Sequence, residues 1–294
     1  MNYTYAAIIF NPNSTGQSEK LAEKFHKKLA TAIPSLKVEL IPTEHAGHAE
    51  ALAYEIAQNH KNPIVISSSG DGGYNEVVNG ALRALNEGYT VTTGLLPAGN
   101  ANDHFHNLHD KDMVERIANN DPLSIDLLKI TYKKDKQRHH RYAHSYIGFG
   151  ISSLVGKELN KTKLNRFNEM WLLAKTVVTS RPVKLKIHSR YEKYDSVIIS
   201  NVDKMSKMLK VSRPASVDDG LFEVTISRHD TKMKLVGLLV KASLSQLEED
   251  RQTNKFKMRT KYETSAQIDG EIIAISAKSK IVITNEHKKL ACFV

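Results

Sequence analysis

An aspartate lodged in a glycine turn carries the strongest chemical signal in the chain: Ser69-Gly70-Asp71-Gly72-Gly73-Tyr74-Asn75-Glu76. Three glycines in four positions let a backbone come close to a bulky ligand. The helix that opens behind them offers free N–H groups and a positive dipole end, which suit phosphate. A carboxylate at that place repels phosphate unless a cation lies between them. Asp71 therefore points to a nucleotide phosphate bridged to protein by Mg²⁺, a cation that favours carboxylate and phosphate oxygens. Two other acidic turns have chemical potential. Asp269-Gly270-Glu271 and Asp218-Asp219-Gly220 each place carboxylates where the chain reverses. Flanked by Ile268 and Ile272, Asp269-Gly270 reads as a hairpin turn. A rigid hairpin can also hold a proton acceptor, so both readings stand. Paired carboxylates in a turn are compatible with a hard cation and do not require one.

The elements that position these residues follow from the pattern. Pro63–Ser68 is strand-like and feeds the turn. Behind it, Tyr74, Val77, Val78, Ala81, Leu82 and Leu85 form one apolar helical stripe, with Asn75 and Asn79 beside it. Further strands are expected at Tyr5–Phe10, Leu36–Ile41 and Val91–Leu96, with helices around Leu21, Phe25 and Leu29 and over Ala49–Ala57. This alternation predicts a Rossmann-like α/β domain over residues 1–122 with a mainly parallel sheet. Two strands end in polar turns, Asn11 to Gly16 and Pro97 to Asp103, at the carboxyl ends where ligands bind in such sheets. The loop is not a dinucleotide fingerprint, because Asn75 fills the last glycine slot. It is not a Walker A loop either, since Gly94 to Gly99 runs into Asn100-Ala101 without a lysine.

After Asp121-Pro122 the texture changes to short strands. These fall at Leu123–Ile130, Tyr142–Phe149, Val183–His188, Ser196–Asn201, Leu221–Ser227, Lys255–Tyr262 and Ile272–Ile283, with a polar hairpin tip at Tyr132–Arg141. Helical patterns interrupt them near Leu164–Val178 and Lys232–Ser243. The prediction is a β-rich sandwich over residues 123–283.

Composition bounds the function. With 294 residues, 40% hydrophobic and 25% charged, the chain has an ordinary globular make-up and room for two cores. No apolar run is long enough to span a membrane, and the amino terminus shows no secretion signal. The single cysteine, Cys292, excludes an internal disulfide framework and fits a reducing cytoplasm. Net charge is +10, and Ile130 to Arg213 holds 19 Lys/Arg against 6 Asp/Glu. No nucleic-acid-binding module accompanies that surplus. It favours an anionic membrane surface instead. Trp171, Leu172 and Leu173 among Lys161, Lys163, Arg166 and Lys175 are the expected membrane-facing segment. Among His104, His106 and His109, only the last two could share a helix face, and no transition-metal site is read there. No heptad pattern marks an interface; a homodimer is compatible with the sequence.

Four separated runs together resemble the diacylglycerol kinase catalytic family, which includes soluble bacterial lipid kinases and the sphingosine and ceramide kinases. Ser69 to Gly80 is similar to G-G-D-G-T-x-N-E-V-x-N-G, and Leu96 to Asp103 to L-P-x-G-T-x-N-D-F. Pro214 to Phe222 resembles P-x-A-x-x-D-D-G-x-L/F, and Gln267 to Glu271 resembles Q-x-D-G-E. The resemblance implies an ATP- and Mg²⁺-dependent kinase acting on a lipid hydroxyl, most simply diacylglycerol. It implies a nucleotide cleft between the two domains, with the tail 284–294 packing back on the first. Carried onto this chain, Asn11 and Thr43 would line the nucleotide pocket. Ser69, Gly70, Asp71, Gly72, Gly73, Tyr74, Asn75 and Glu76 would hold the phosphates, with Gly99, Asn100, Asn102 and Asp103 nearby. Asp71 and Asp126 would hold the catalytic Mg²⁺ network. A structural Mg²⁺ would sit on Asp219 and the backbone around Ser216 and Leu221. Glu271 would be the base, with Asp269 as second choice. Ser69, Gly73, Asn100, His104 and His106 depart from the family's residues at their positions. An NAD kinase, which has a similar Gly-Asp-Gly loop, and a non-catalytic lipid-binding protein are the rival readings.

Overall fold

The computed structural model describes residues 3–14, 17–150, 182–205, 209–210, 216–229 and 250–294. The chain forms two compact units, Met1–Ile125 with Lys288–Val294, and Asp126–His287. Both junctions lie inside strands, where composition gives no mark.

The first unit alternates strand and helix through β4 and closes with two short helices. Its elements are β1 (Tyr5–Phe10), α1 (Ser18–Ala32), β2 (Lys37–Pro42), α2 (His48–Asn59), β3 (Ile64–Ser69), α3 (Asp71–Asn86), β4 (Thr92–Pro97), α4 (Asp103–Leu108) and α5 (Met113–Ala118). Four strands pair in parallel in the order β2-β1-β3-β4, and Cys292 and Phe293 add a fifth against Thr93 and Gly94 of β4. All of β1 is buried, as expected of a strand covered on both faces. The chain moves from β1 outward to β2, then back past β1 to β3. Right-handed crossovers in opposite directions put α1 and α2 on opposite faces. Ala6, Ile8 and Phe10 pack with Phe25 and Leu29 of α1 and Val114 and Ile117 of α5. On the other face α2 and α3 lie together. Gly80 permits this, because a Cβ there would overlap the Glu50 carbonyl oxygen. The reversal opens a crevice between β1 and β3, where Asn11 and the Asp71 turn begin.

In the second unit the strands pair antiparallel. It contains most of β5 (Leu123–Lys134), then β6 (Gln137–Ala143), β7 (Tyr146–Gly150), β8 (Val183–Lys186) and β9 (Tyr191–Ser200). There follow β10 (Lys204–Met205), β11 (Leu209–Lys210), β12 (Phe222–Arg228), β13 (Asp250–Thr253) and β14 (Lys255–Thr260). Last come β15 (Thr264–Ile268), β16 (Glu271–Ile275) and β17 (Lys280–Phe293). The order runs β16-β15-β7-β9-β8-β14-β17, and β12 also joins β9. This β-rich unit is thus a sheet that branches at β9 around one apolar core, including Ile130, Phe149, Val197, Phe222, Phe256 and Ile283. The hairpin tip expected over Tyr132–Arg141 is only Asp135-Lys136, both at positive φ (50° and 66°), because Lys134 already pairs with Gln137. The expected strand Tyr142–Phe149 breaks at His144-Ser145, and Ile272–Ile283 breaks between β16 and β17. The helical patterns near 164–178 and 232–243, and the membrane-facing segment at Trp171, lie outside the described residues.

Candidate functional site

The first unit gathers its candidate residues at the carboxyl edge of the sheet. Helix α3 starts at Asp71 itself, so Gly72 and Gly73 are helical rather than part of a longer loop. Its N-cap is Gly70, and no side chain caps it. The first-turn N–H groups therefore face an edge lined with glycine, an arrangement that suits an anion. The Asp71 carboxylate is 8% exposed and reaches across to the neighbouring loop. Its Oδ2 accepts the Asp103 N–H at 3.0 Å and its Oδ1 the His104 N–H at 3.1 Å. Asp71 thereby caps α4 and locks the two loops together. The loops also touch backbone to backbone: a Cβ on Gly70 would lie 3.1 Å from the Gly99 Cα, and one on Gly99 would overlap the Gly70 Cα.

Asn102, at φ 52°, folds the second loop upon itself. Its Oδ1 accepts the Gly99 N–H at 2.9 Å and its Nδ2 donates to the Gly99 carbonyl at 2.8 Å. Asn102 is buried and acts within the loop, whereas Asn100 is exposed beside it. Asn11 and Thr43 follow β1 and β2; Thr43 donates its N–H to the Phe10 carbonyl at 2.8 Å. Three expected phosphate-run residues do other work with their side chains. Tyr74 is fully buried and its hydroxyl meets Thr93 Oγ1 at 2.9 Å. Asn75 is fully buried, and Asn79 Nδ2 donates to its side-chain Oδ1 at 3.1 Å. Glu76 accepts the Gly47 N–H at the start of α2, 2.9 Å away. Sequence reading also missed the clip that holds α1 to β3: Ser18 and Ser68 each donate a hydroxyl to the other's carbonyl. Only the Ser-Ser run at the end of β3 hinted at it.

The second unit holds its candidates in two places. Asp126 is fully buried at β5. Its Oδ2 accepts from the Gly220 N–H at 2.6 Å and from Asn285 Nδ2 at 3.2 Å, and its Oδ1 lies 2.9 Å from His287 Nδ1. Asp126 thus belongs with the 216–221 turn of its own unit. The turn expected to carry a structural Mg²⁺ is closed by its own hydrogen bonds. Asp219 Oδ1 already accepts the Leu221 N–H at 2.8 Å, and the Leu221 carbonyl accepts Asn285 Nδ2 at 2.9 Å. Ser216 spends its hydroxyl on Asp218 at 2.7 Å. The Asn285 amide bridges Asp126 and Leu221. Hydrogen bonds hold this turn. Asn285 and His287 could not be singled out beforehand, because nothing in their spacing links them to a turn more than 60 residues earlier.

At the other place, Asp269 and Gly270, at φ 46° and 94°, make the two-residue turn between Ile268 and Glu271. Asp269 is fully buried. It accepts the N–H of His144 at 2.6 Å, of Ser145 at 3.1 Å and of Tyr146 at 2.8 Å. Asp269, the expected second-choice proton acceptor, is thus engaged by three backbone N–H groups. Glu271, two residues on, has a side chain 40% exposed, and Arg141 Nη2 donates to its Oε2 at 2.6 Å. Arg141 had been read only as part of a polar hairpin. Among the described residues no three His, Cys, Asp or Glu side chains gather as a metal cage. Mg²⁺ bound along with substrate phosphates needs only one or two carboxylates. Asp71 and Asp103, joined by a hydrogen bond, are the acidic residues at the phosphate edge that fit it.

Comparison with known proteins bears on this edge directly. Residues 5–130 match the family described as the diacylglycerol kinase catalytic domain. That stretch is similar to this family's catalytic domain. Sphingoid long-chain bases kinase 1 of Arabidopsis thaliana is 37% identical over 100 residues, which is 32% of this chain and 13% of that protein. Ceramide kinase of Mus musculus is 27% identical over 175 residues, 53% of this chain and 32% of that protein. The aligned stretches thus cover well under two thirds of these relatives. A crystal structure of a diacylglycerol kinase from Bacillus anthracis str. Sterne superposes with a TM-score of 0.70 at 16% identity. The match covers 100% of this chain and 97% of that one. That likeness establishes the fold. Against the family's motif, His104 stands where phenylalanine is usual, and its buried ring packs 5.2 Å from that of Tyr74. His106 replaces an arginine, and its ring lies against Phe105.

Proposed function

We propose that the protein is a lipid kinase that moves the γ-phosphoryl group of ATP, with Mg²⁺, onto a lipid hydroxyl. Diacylglycerol, giving phosphatidic acid, is the proposed acceptor. The observation that carries this reading is the uncapped, glycine-lined start of α3 at the sheet's switch point, within a diacylglycerol kinase catalytic domain. The N–H groups of the first α3 turn bind and orient the phosphates. Asn11, Thr43 and Asn100 are proposed contacts to the rest of the nucleotide. Mg²⁺, held through Asp71 and Asp103, would offset charge on the phosphate oxygens, the main demand of phosphoryl transfer. Glu271 takes the proton of the attacking hydroxyl at Oε1, while Arg141 grips Oε2 and fixes the carboxylate. Asp269 pins the turn that carries Glu271. The names of the kinase relatives support a lipid alcohol over NAD as acceptor.

Attachment to an anionic cytoplasmic membrane surface is part of the proposal. No helix among the described residues is long and apolar enough to cross a membrane. The exposed cations Lys133, Lys134, Lys136 and Arg138 cluster at the β5–β6 tip, and Lys133 sits directly opposite Arg138. Like charges so placed repel one another, and an anionic surface relieves that repulsion.

Incubation with labelled ATP and a total lipid extract, with NAD in a parallel reaction, tests the function. The expected product is labelled phosphatidic acid. Label on NAD alone would replace the reading. Nucleotide binding with no lipid labelled would favour a non-catalytic lipid-binding role.

A further inference from the structure

Two of the departures from the family motif lie in contact. Ser69 stands where the family has glycine, and Gly73 where it has threonine. In sequence the pair looks like the loss of one phosphate-loop hydroxyl. In space it does not. A Cβ on Gly73 would lie 2.6 Å from Ser69 Oγ and 2.7 Å from Ser69 Cβ. Real side-chain atoms do not approach so closely, so positions 69 and 73 share one volume that holds a single small side chain. We propose that Ser69 supplies the hydroxyl that the family's threonine supplies, placed in the same volume from the strand side instead of the helix side. This rests on the reading of the α3 edge as a nucleotide-phosphate site.

The hydrogen bonds around Ser69 describe how the group would work. Ser69 Oγ donates to the Gly70 carbonyl at 2.9 Å and lies 2.7 Å from Ser67 Oγ. With its one proton given to Gly70, Ser69 accepts from Ser67. A phosphate oxygen is a stronger acceptor than a neutral carbonyl. On its arrival the Ser69 hydroxyl turns from Gly70 toward the anion, and Ser67 continues to donate to it. Ser69 is thus a phosphate-binding residue, and Ser67 orients it.

A two-position exchange in the full chain tests this, read by equilibrium binding of ATP, ADP and adenosine and by melting without nucleotide. Ser69→Gly and Ser69→Ala are each expected to weaken ATP and ADP binding about tenfold or more, since a hydrogen bond to a charged group is lost. Adenosine binding should not change, which a merely structural defect would not predict. Gly73→Thr alone should melt roughly 2–4 °C lower or worse, from overpacking beside Ser69. Ser69→Gly combined with Gly73→Thr should recover both the melting temperature and the ATP affinity. ATP affinity unchanged in Ser69→Ala overturns the proposal, and so does failure of the double variant to regain affinity. If the native chain binds no nucleoside triphosphate, the kinase reading falls together with the phosphate role of Ser69. If native ATP binding is sound while the exchange fails, only the present inference falls.

Discussion

Asp71 and Asp269 make a revealing pair. Each is a buried aspartate beside a glycine, and each accepts consecutive backbone N–H groups from another segment. Their surroundings differ. Asp71 opens a helix in a parallel α/β layer, and half-buried Gly70, Gly72 and Gly73 lie around it at the strand ends. Asp269 sits inside an antiparallel hairpin with Ile268 buried behind it, and the exposed acid is its neighbour Glu271. In the first unit the clip and the proposed chemistry meet in one residue. In the second they are divided between two. A carboxylate that fastens a loop is therefore not by that fact a reactive group, and its neighbours decide which it is.

Substitutions can break or sharpen that contrast. The largest effect is expected from Asp71→Ala, which should reduce phosphoryl transfer to background in a lipid-kinase assay. Two freed N–H groups should cost only about 1–3 kcal/mol of stability. Full activity would remove Asp71 from the chemistry and make it a clip like Asp269. Next comes Glu271→Gln, expected to slow transfer about 10²–10⁴-fold with an unchanged denaturation midpoint. A loss much smaller than that would place proton transfer elsewhere. Asp269→Ala should act on stability instead, costing about 3–5 kcal/mol in urea unfolding because three N–H groups lose their acceptor. If it folds normally and only turnover falls, the division of labour drawn here is wrong. A smaller effect is expected from Gly99→Ala, about 1–3 kcal/mol, since the new methyl must push the Gly70 backbone away. The smallest concerns the buried carboxyl-terminal strand. Burial raises the Cys292 thiol from 9.0 to about 12. Because the folded value is the higher one, this contribution to stability is whole below pH 9 and fades as pH rises toward 12. Thiol reagents at pH 8 should label Cys292 only after unfolding.

The two units were not equally legible. In the first, β1 to β4 and α1 to α3 could be read from runs such as Tyr5–Phe10 and the stripe from Tyr74 to Leu85, because periodicity and strand-end turns agree there. Helix α5 was missed: its cap, Asp112, accepts the N–H groups of Val114 and Glu115, but Met113–Ala118 is too short to show a period. In the second unit the longer strands were visible, whereas β10, β11, β13, β15 and the joins were not. The break at His144-Ser145 exists because those N–H groups bend toward Asp269, a contact 124 residues away for Ser145. Long-range polar contacts of this kind leave no local pattern. For the same reason Arg141 beside Glu271, and Asn285 and His287 beside Asp126, came only from the structure. The exchange between Ser69 and Gly73 was visible as two substitutions, and only distance shows that the two positions share one volume.

One strand has a consequence for synthesis. β17 pairs first with β14 through Lys255–Arg259 and then, at Cys292 and Phe293, with β4. The parallel layer begun at Tyr5 thus lacks an edge until the ribosome has made residue 293. Until then β4 presents unpaired N–H and C=O groups, a template for sticking to other nascent chains. The cell must shield that margin for almost the whole period of translation, even though most of the unit's residues emerge early.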